Sequence, residues 1–189
     1  NRHLQTFKSK TVLILCDSKN DSFDCSQLQQ PITANKHTVF YLEDLNRYSQ
    51  EVHESDIVLI SAGIYDIIRK GLHANILHDH VRDFIVQFPK TRFIFESVTA
   101  LECDGSRKNS EINKTIDRFN KLMFRCSLDH DNIEYFDNVR FRQTHLSADG
   151  LYLDHNGQAE LSKCWIHCIL LTGGIKNGSL PRYEGTSKS

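Results

Sequence analysis

The chain has almost no net charge: its 189 residues carry 23 lysines and arginines against 24 aspartates and glutamates, a formal charge of -1. The basic residues are scattered rather than gathered into a stripe, so direct nucleic-acid binding is not expected. Long apolar runs are missing too. The longest are strand-length, too short to cross a bilayer, and no membrane span is expected. Paired CxxC spacing is absent among the six cysteines, Cys16, Cys25, Cys103, Cys126, Cys164 and Cys168. There is no glycine-rich phosphate loop and no dinucleotide fingerprint, so no cofactor is expected. No signal peptide opens the sequence. It begins at Asn1 rather than at methionine, as an excised domain or a processed chain would.

The cysteines read as free thiols. Cys16 and Cys126 lie on apolar patterns where a thiol behaves as a small hydrophobe, and a chain of this length needs no covalent staples. Cys164, His167 and Cys168 fall on successive turns of one helix and could offer three ligands. Structural zinc takes four, usually from two segments, and no second cluster is evident, so no metal site is expected. On this reading the two cysteines face the core and His167 faces solvent. His73, His78 and His80, with Asp79 and Asp83, read as a solvated helix face. Three glycosylation sequons occur, at Asn20-Asp21-Ser22, Asn113-Lys114-Thr115 and Asn177-Gly178-Ser179. They permit secretion without requiring it, and the compartment stays open.

What is present describes one soluble globular domain. Hydrophobic residues make up 39% and charged residues 25%, and the length suffices for one sizeable core. Residues 11–16 (TVLILC) form a continuous apolar run rich in β-branched residues, as in a strand buried on both faces. Further strands are expected at 37–42, 56–62, 91–98 and 132–136. Apolar residues at close to 3.6 periodicity predict a helix over 65–88, which Gly71 interrupts and Pro89 closes. Two more helices are expected over 111–128 and 158–171. Domain limits follow: an extension at 1–10, a domain at 11–172, and a Gly/Ser/Lys-rich, disordered tail at 173–189.

Strands alternating with helices imply right-handed crossovers and a parallel sheet covered on both faces. The expected fold is α/β: a three-layer α/β/α sandwich on a five-stranded parallel sheet, flavodoxin-like in layout. Ligands of such sheets bind beyond the carboxyl ends of the strands. Ser18 follows the first strand, Gly63 the third, and Asp149 the fifth, so all three are expected on one rim.

At these positions the residues resemble the SGNH (GDSL-type) hydrolase family, over roughly residues 11–171. Family members carry Gly-Asp-Ser after the first strand, its serine the nucleophile and its backbone amide an oxyanion donor. Here the block reads Cys16-Asp17-Ser18. A glycine in the second block usually donates its amide as well, and between Asp21 and Gly63 this chain has no glycine. The third block, usually Gly-x-Asn-Asp with the asparagine as oxyanion donor, reads Gly63-Ile64-Tyr65-Asp66. The last, usually Asp-x-x-His-Leu, reads Asp149-Gly150-Leu151-Tyr152-Leu153, with tyrosine in the histidine slot. The resemblance thus implies Ser18 as nucleophile and Asp149 as the orienting acid. It also implies Gly63 and Tyr65 beside the oxyanion position, and Asp17, Gly63, Tyr65 and Asp66 are expected as binding residues. The blander readings are a turn residue satisfying backbone amides for Asp17 and a cap or brace of the third-block loop for Asp66.

A serine hydroxyl needs a neighbouring base to take its proton as it attacks. Imidazole suits that role; a phenol, with an ordinary pKa of about 10, does not. His155, three residues after Tyr152, or His145, four before Asp149, would have to replace the missing base. The blander readings are a helix-entry residue for His155 and an exposed loop residue for His145. Tyr65 and Tyr152 either fill the cleft or line a binding groove with aromatic faces. Two functions are therefore expected. One is a catalytically impaired pseudoenzyme kept as a binding or interaction module, and the alteration of three of four signature positions favours it. The other is an active serine esterase or deacetylase using Ser18. The corresponding partners are a small acyl-ester or acetylated-sugar ligand, or a protein. The stretch Val58–Asp66 also looks similar to SGNH-like domains carried within larger animal proteins, some encoded by mobile elements. That likeness implies service to a nucleic-acid-handling protein without contact to nucleic acid.

Overall fold

The structure is a computed structural model that describes residues 9–18, 22–138 and 152–174. Asp149, His145, the sequons at Asn20 and Asn177, and nearly all of the N-terminal extension and C-terminal tail lie outside those residues. Five strands, β1 (Lys10–Cys16), β2 (Ile32–Thr38), β3 (Ile57–Ser61), β4 (Arg92–Glu96) and β5 (Ile133–Phe136), form one sheet in the order β2-β1-β3-β4-β5. Every pairing is parallel. Among the described residues five α-helices accompany them: α1 (Ser49–Glu54), α2 (Ile64–Ile68), α3 (Ala74–Ile85), α4 (Arg107–Asp129) and α5 (His155–Thr172).

Alternation along the strands divides the core into two halves. Leu13, Leu15, Val58, Ile60, Phe93 and Phe95 point to one face and pack with Leu77, Val81, Phe84, Phe119 and Met123 of α3 and α4. Val12, Ile14, Ile57, Leu59 and Ile94 point to the other and pack with Leu161, Trp165 and Ile169 of α5. Each such side chain, taken fully out of water, contributes about 1.5–3 kcal/mol. The layers are therefore α1–α4, sheet, α5, and the inner strands are apolar throughout because both of their faces are covered.

Two expectations need correction. The second strand is not at 37–42 but at Ile32–Thr38, with the sequence ITANKHT. As an edge strand it is only half covered, so its polar residues hide it. The apolar residues that follow are buried for another reason: Val39 and Leu42 drop into the core, and Leu42–Tyr48 winds as a 3-10 helix. The helix expected over 65–88 is two helices, α2 and α3. Gly71 separates them at φ +62°, with Gly71 N–H donating to Ile67 O and Leu72 N–H to Asp66 O. That pair of bonds is a glycine-terminated helix end.

None of the six cysteines is in a disulfide; Cys164 is buried, burial pushes the half-buried Cys168 thiol up to about 12, and His167 is exposed. The sequon at Asn113 is closed. Its Nδ2, the atom a glycan would join, donates to Leu101 O at 3.0 Å, and its Oδ1 accepts from Leu101 N–H at 2.8 Å.

Candidate functional site

Because all five strands run the same way, their carboxyl ends share one rim. Ser18 stands two residues beyond β1. Asp17 before it is buried, and its N–H donates to Ser61 O at 2.9 Å, fixing the turn to the end of β3. Gly63 follows β3 and caps α2 at φ +127°. A Cβ there would lie 3.0 Å from Phe119 Cε1 and 3.4 Å from Val98 Cγ2, in a backbone conformation that side chains rarely adopt. Glycine is what lets the rim turn so tightly into α2. Tyr65, the second residue of that helix, is thereby aimed back across the rim toward Ser18.

Three of the residues singled out by sequence meet there. Ser18 Oγ lies 2.7 Å from Tyr65 OH, and Tyr65 OH lies 2.8 Å from Tyr152 OH. Ser18 and Tyr152 are half-buried, whereas Tyr65 is only 2% exposed. Phe40 leans against the Tyr65 ring with centroids 6.1 Å apart, and the Arg69 guanidinium sits 4.6 Å from the ring centre. Burial pushes the Tyr65 phenol up to about 12. The bond to Ser18 pulls it down, while the bond to Tyr152 and the charge on Asp17 add to the rise. A phenol at that value keeps its proton at neutral pH.

No hydrogen bond from His155 to Ser18 or Tyr65 is found among the described residues. His155 opens α5 and is exposed, while Asp154 caps the same helix by accepting from Gly157 N–H at 2.7 Å. Among the described residues no histidine bonds Ser18. Asp66 lies wholly inside, its Oδ2 accepting from Leu42 N–H at 3.1 Å and its Oδ1 without a hydrogen-bond partner. Burial pushes its carboxyl up to about 6. Among the described residues no three His, Cys, Asp or Glu side chains gather into a metal-ligand set. No described helix is long and apolar enough to cross a membrane.

Comparison with known proteins bears on the fold. No protein-family model matches the sequence, and no curated protein matches it. Solved structures do. A member of the lipolytic G-D-S-L family from Veillonella parvula superposes with a TM-score of 0.67 at 11% identity, over 86% of this chain and 98% of its own. The SGNH hydrolase fold is the fold of this chain. A carbohydrate acetylesterase family member from Sinorhizobium meliloti gives 0.68 at 13% identity, over 88% of this chain and 100% of its own. An acetylxylan esterase from Geobacillus stearothermophilus, solved as a catalytic mutant, gives 0.65 at 13% identity, over 89% and 96%.

Within this SGNH fold one rim residue escaped the sequence reading. Glu96 closes β4 and is 1% exposed, with Asn138 Nδ2 donating to Oε1 and Trp165 Nε1 to Oε2, each at 2.6 Å. A glutamate at the end of an otherwise apolar strand was the available signal. Burial pushes its carboxyl up to about 7, against the hydrogen bonds of Ser61, Asn138 and Trp165, which favour the ionised form, and with Asp17 adding to the rise. Between 4.5, its ordinary value, and about 7 the folded chain keeps a proton that the unfolded chain has released. The stabilisation is complete below that window and is lost as pH rises through it. At about 1.4 kcal/mol per pH unit the loss is about 3 kcal/mol. Asp66 acts in the same sense between 3.8 and about 6. Urea denaturation from mildly acidic to mildly alkaline pH is expected to show stability falling across neutrality, and Glu96→Gln should flatten that slope.

Proposed function

We propose that the chain is a degenerate SGNH-fold domain, impaired as a hydrolase, that works as a binding or interaction module. The observation that carries this reading is the hydroxyl chain Ser18–Tyr65–Tyr152. On the resemblance noted above, Tyr152 stands in the slot of the base and Tyr65 in the slot of an oxyanion donor. The phenol in the base slot does not supply the chemistry of the imidazole it replaces, and the hydroxyl in the oxyanion slot is engaged by Ser18 and Tyr152. A base must accept the serine proton near neutral pH, and a phenol does not. The phenol that bonds Ser18 is that of Tyr65, which burial pushes up to about 12 and which therefore keeps its own proton. The bulk of Tyr65 also stands over Ser18, where an acyl group would have to approach. Asp149 would be the orienting acid of an intact triad, with Gly63 N–H and Ser18 N–H as the remaining oxyanion donors.

The ligand class named for two structural neighbours, a carbohydrate acetyl ester, is the first to test for binding without turnover. Protein partners are the second.

A fluorophosphonate probe tests the reading directly, because it reacts only with an activated serine. Wild-type protein is expected to stay unlabelled. Ser18→Ala is expected to cost about 1 kcal/mol or less in stability, the worth of one half-buried hydrogen bond. Labelling that disappears in both Ser18→Ala and His155→Ala would overturn the proposal. It would make the domain an esterase with a relocated base.

A further inference from the structure

We propose that the solvent face of α4 is a binding surface for single-stranded nucleic acid, with Arg107, Arg118 and Arg125 holding the backbone and Phe124 stacking a base. The inference does not depend on the chemistry at Ser18.

Basic residues that lie scattered along the sequence are gathered by this helix. α4 carries six lysines and arginines against three aspartates and glutamates, a net +3, in a chain whose total is -1. The rest of the chain therefore stands at -4, and the positive charge is local. Arg107, Glu111, Lys114, Arg118, Lys121 and Arg125 follow one another at alternating steps of four and three residues, which places them in one row along the helix. All of them are exposed. Ile116, Phe119, Met123 and Cys126 are buried on the opposite face, so the row is the outermost line of the helix. From Arg107 to Arg125 it runs about 27 Å at about 1.5 Å per residue.

The two lysines of the row are engaged, Lys114 with Glu111 at 3.2 Å and Lys121 with Asp117 at 2.8 Å. The three arginines form no ion pair among the described residues. Their planar guanidinium forks are thus left for an outside anion, and a phosphate accepts two bonds from such a fork. An aromatic ring stands beside them. Phe124 is 50% exposed and meets Tyr135 of β5 edge to face, with ring centroids 5.7 Å apart and planes at 69°. β5 is the last strand of the sheet, so this side of α4 is open. A propped aromatic beside unpaired cations is how single strands are held, the backbone on the charges and a base on the ring. A duplex offers phosphates but hides its base faces, and would leave Phe124 unused. An anionic membrane takes up the apolar face of a helix, and that face of α4 is packed on the sheet.

Fluorescence anisotropy of a labelled oligothymidylate of about twelve nucleotides, within the roughly 4–16 that such sites take, tests this on the whole chain at low salt. Saturable binding is expected. The logarithm of its constant should fall with the logarithm of salt at a slope of about -2, about 0.7 for each of three phosphate contacts. Arg118→Gln and Arg125→Gln should each weaken binding and flatten that slope by about 0.7. Phe124→Ala should weaken it about five- to a hundredfold and leave the slope unchanged, because stacking releases no counterion. Lys163→Gln, which removes one positive charge from α5, should change nothing. Amide resonances of the wild type, followed through the same titration, cover the case in which a variant fails to fold. The shifted ones should centre on residues 118–125. No binding at low salt, or shifts centred elsewhere, would overturn the proposal. Equal affinity for a duplex, with Phe124→Ala silent, would also overturn it and make the row a general polyanion surface. Binding to phosphatidylserine vesicles without binding to the oligonucleotide would replace it with a membrane surface.

Discussion

Combining Tyr152→His with Tyr65→Asn is expected to turn Ser18 into a working nucleophile, raising hydrolysis of an activated acetyl ester by about three orders of magnitude or more over the wild type. The size follows from what each position supplies in a serine hydrolase. Losing a triad member costs about four to six orders of magnitude in rate, and losing an oxyanion donor about two to three. Recovery will be partial, because the second-block glycine is also missing and these effects do not add. Order matters as well. Tyr152→His alone leaves the Tyr65 hydroxyl 2.7 Å from Ser18 Oγ, so the serine stays engaged and the acyl approach stays filled. That single variant should gain much less than the pair. Tyr65→Asn removes a ring that is only 2% exposed, at a cost of about 2–4 kcal/mol, so thermal melting must accompany the assay. A folded double variant with no gain in ester cleavage or in fluorophosphonate labelling would show that these two slots are not what silences Ser18.

The parts of the fold legible in the sequence are those whose burial is symmetric. Strands β1, β3 and β4 are covered on both faces, so they appear as apolar runs that need no partner to be recognised. Strand β2 is an edge and reads as polar chain. The buried residues after it, Val39 and Leu42, imitate a strand while serving a turn. Gly71 marked an interruption, but whether a helix bends or stops there depends on a positive φ and two capping bonds that no periodicity encodes. At the site, block spacing singled out Ser18, Tyr65 and Tyr152, yet not how they meet, since the two hydrogen bonds span 47 and 87 residues. Glu96 went unnoticed for a related reason. Its partners Trp165 and Asn138 lie 69 and 42 residues away, and a buried polar residue shows its purpose only beside them.

Asn120→Ala is expected to be among the most destabilising single changes in the chain, although no apolar contact is the main loss. Asn120 lies on α4 and is 4% exposed; its Oδ1 accepts from Val98 N–H at 2.8 Å and its Nδ2 donates to Val98 O at 2.9 Å. Asn113 does the same for Leu101. The two asparagines are seven residues apart, about 10 Å along a helix at about 1.5 Å per residue. Val98 and Leu101 are three apart, and an extended chain covers nearly that distance at about 3.3–3.6 Å per residue. The match lets one face of α4 grip the segment after β4 at both ends. Val98 in turn packs toward Gly63, so the grip also sets the wall beside Tyr65. Alanine at 120 leaves a buried N–H and a buried C=O without partners, each costing about 1–3 kcal/mol, so a total of about 2–4 kcal/mol is expected. The melting temperature should fall by roughly 6–12 °C. Asn113→Ala, only half-buried, should cost about 1 kcal/mol. The double variant should cost less than the sum, because a segment already freed at one end has less to lose at the other. Strict additivity in that cycle would mean that the two asparagines hold independent pieces of chain and that the segment is not gripped as a unit.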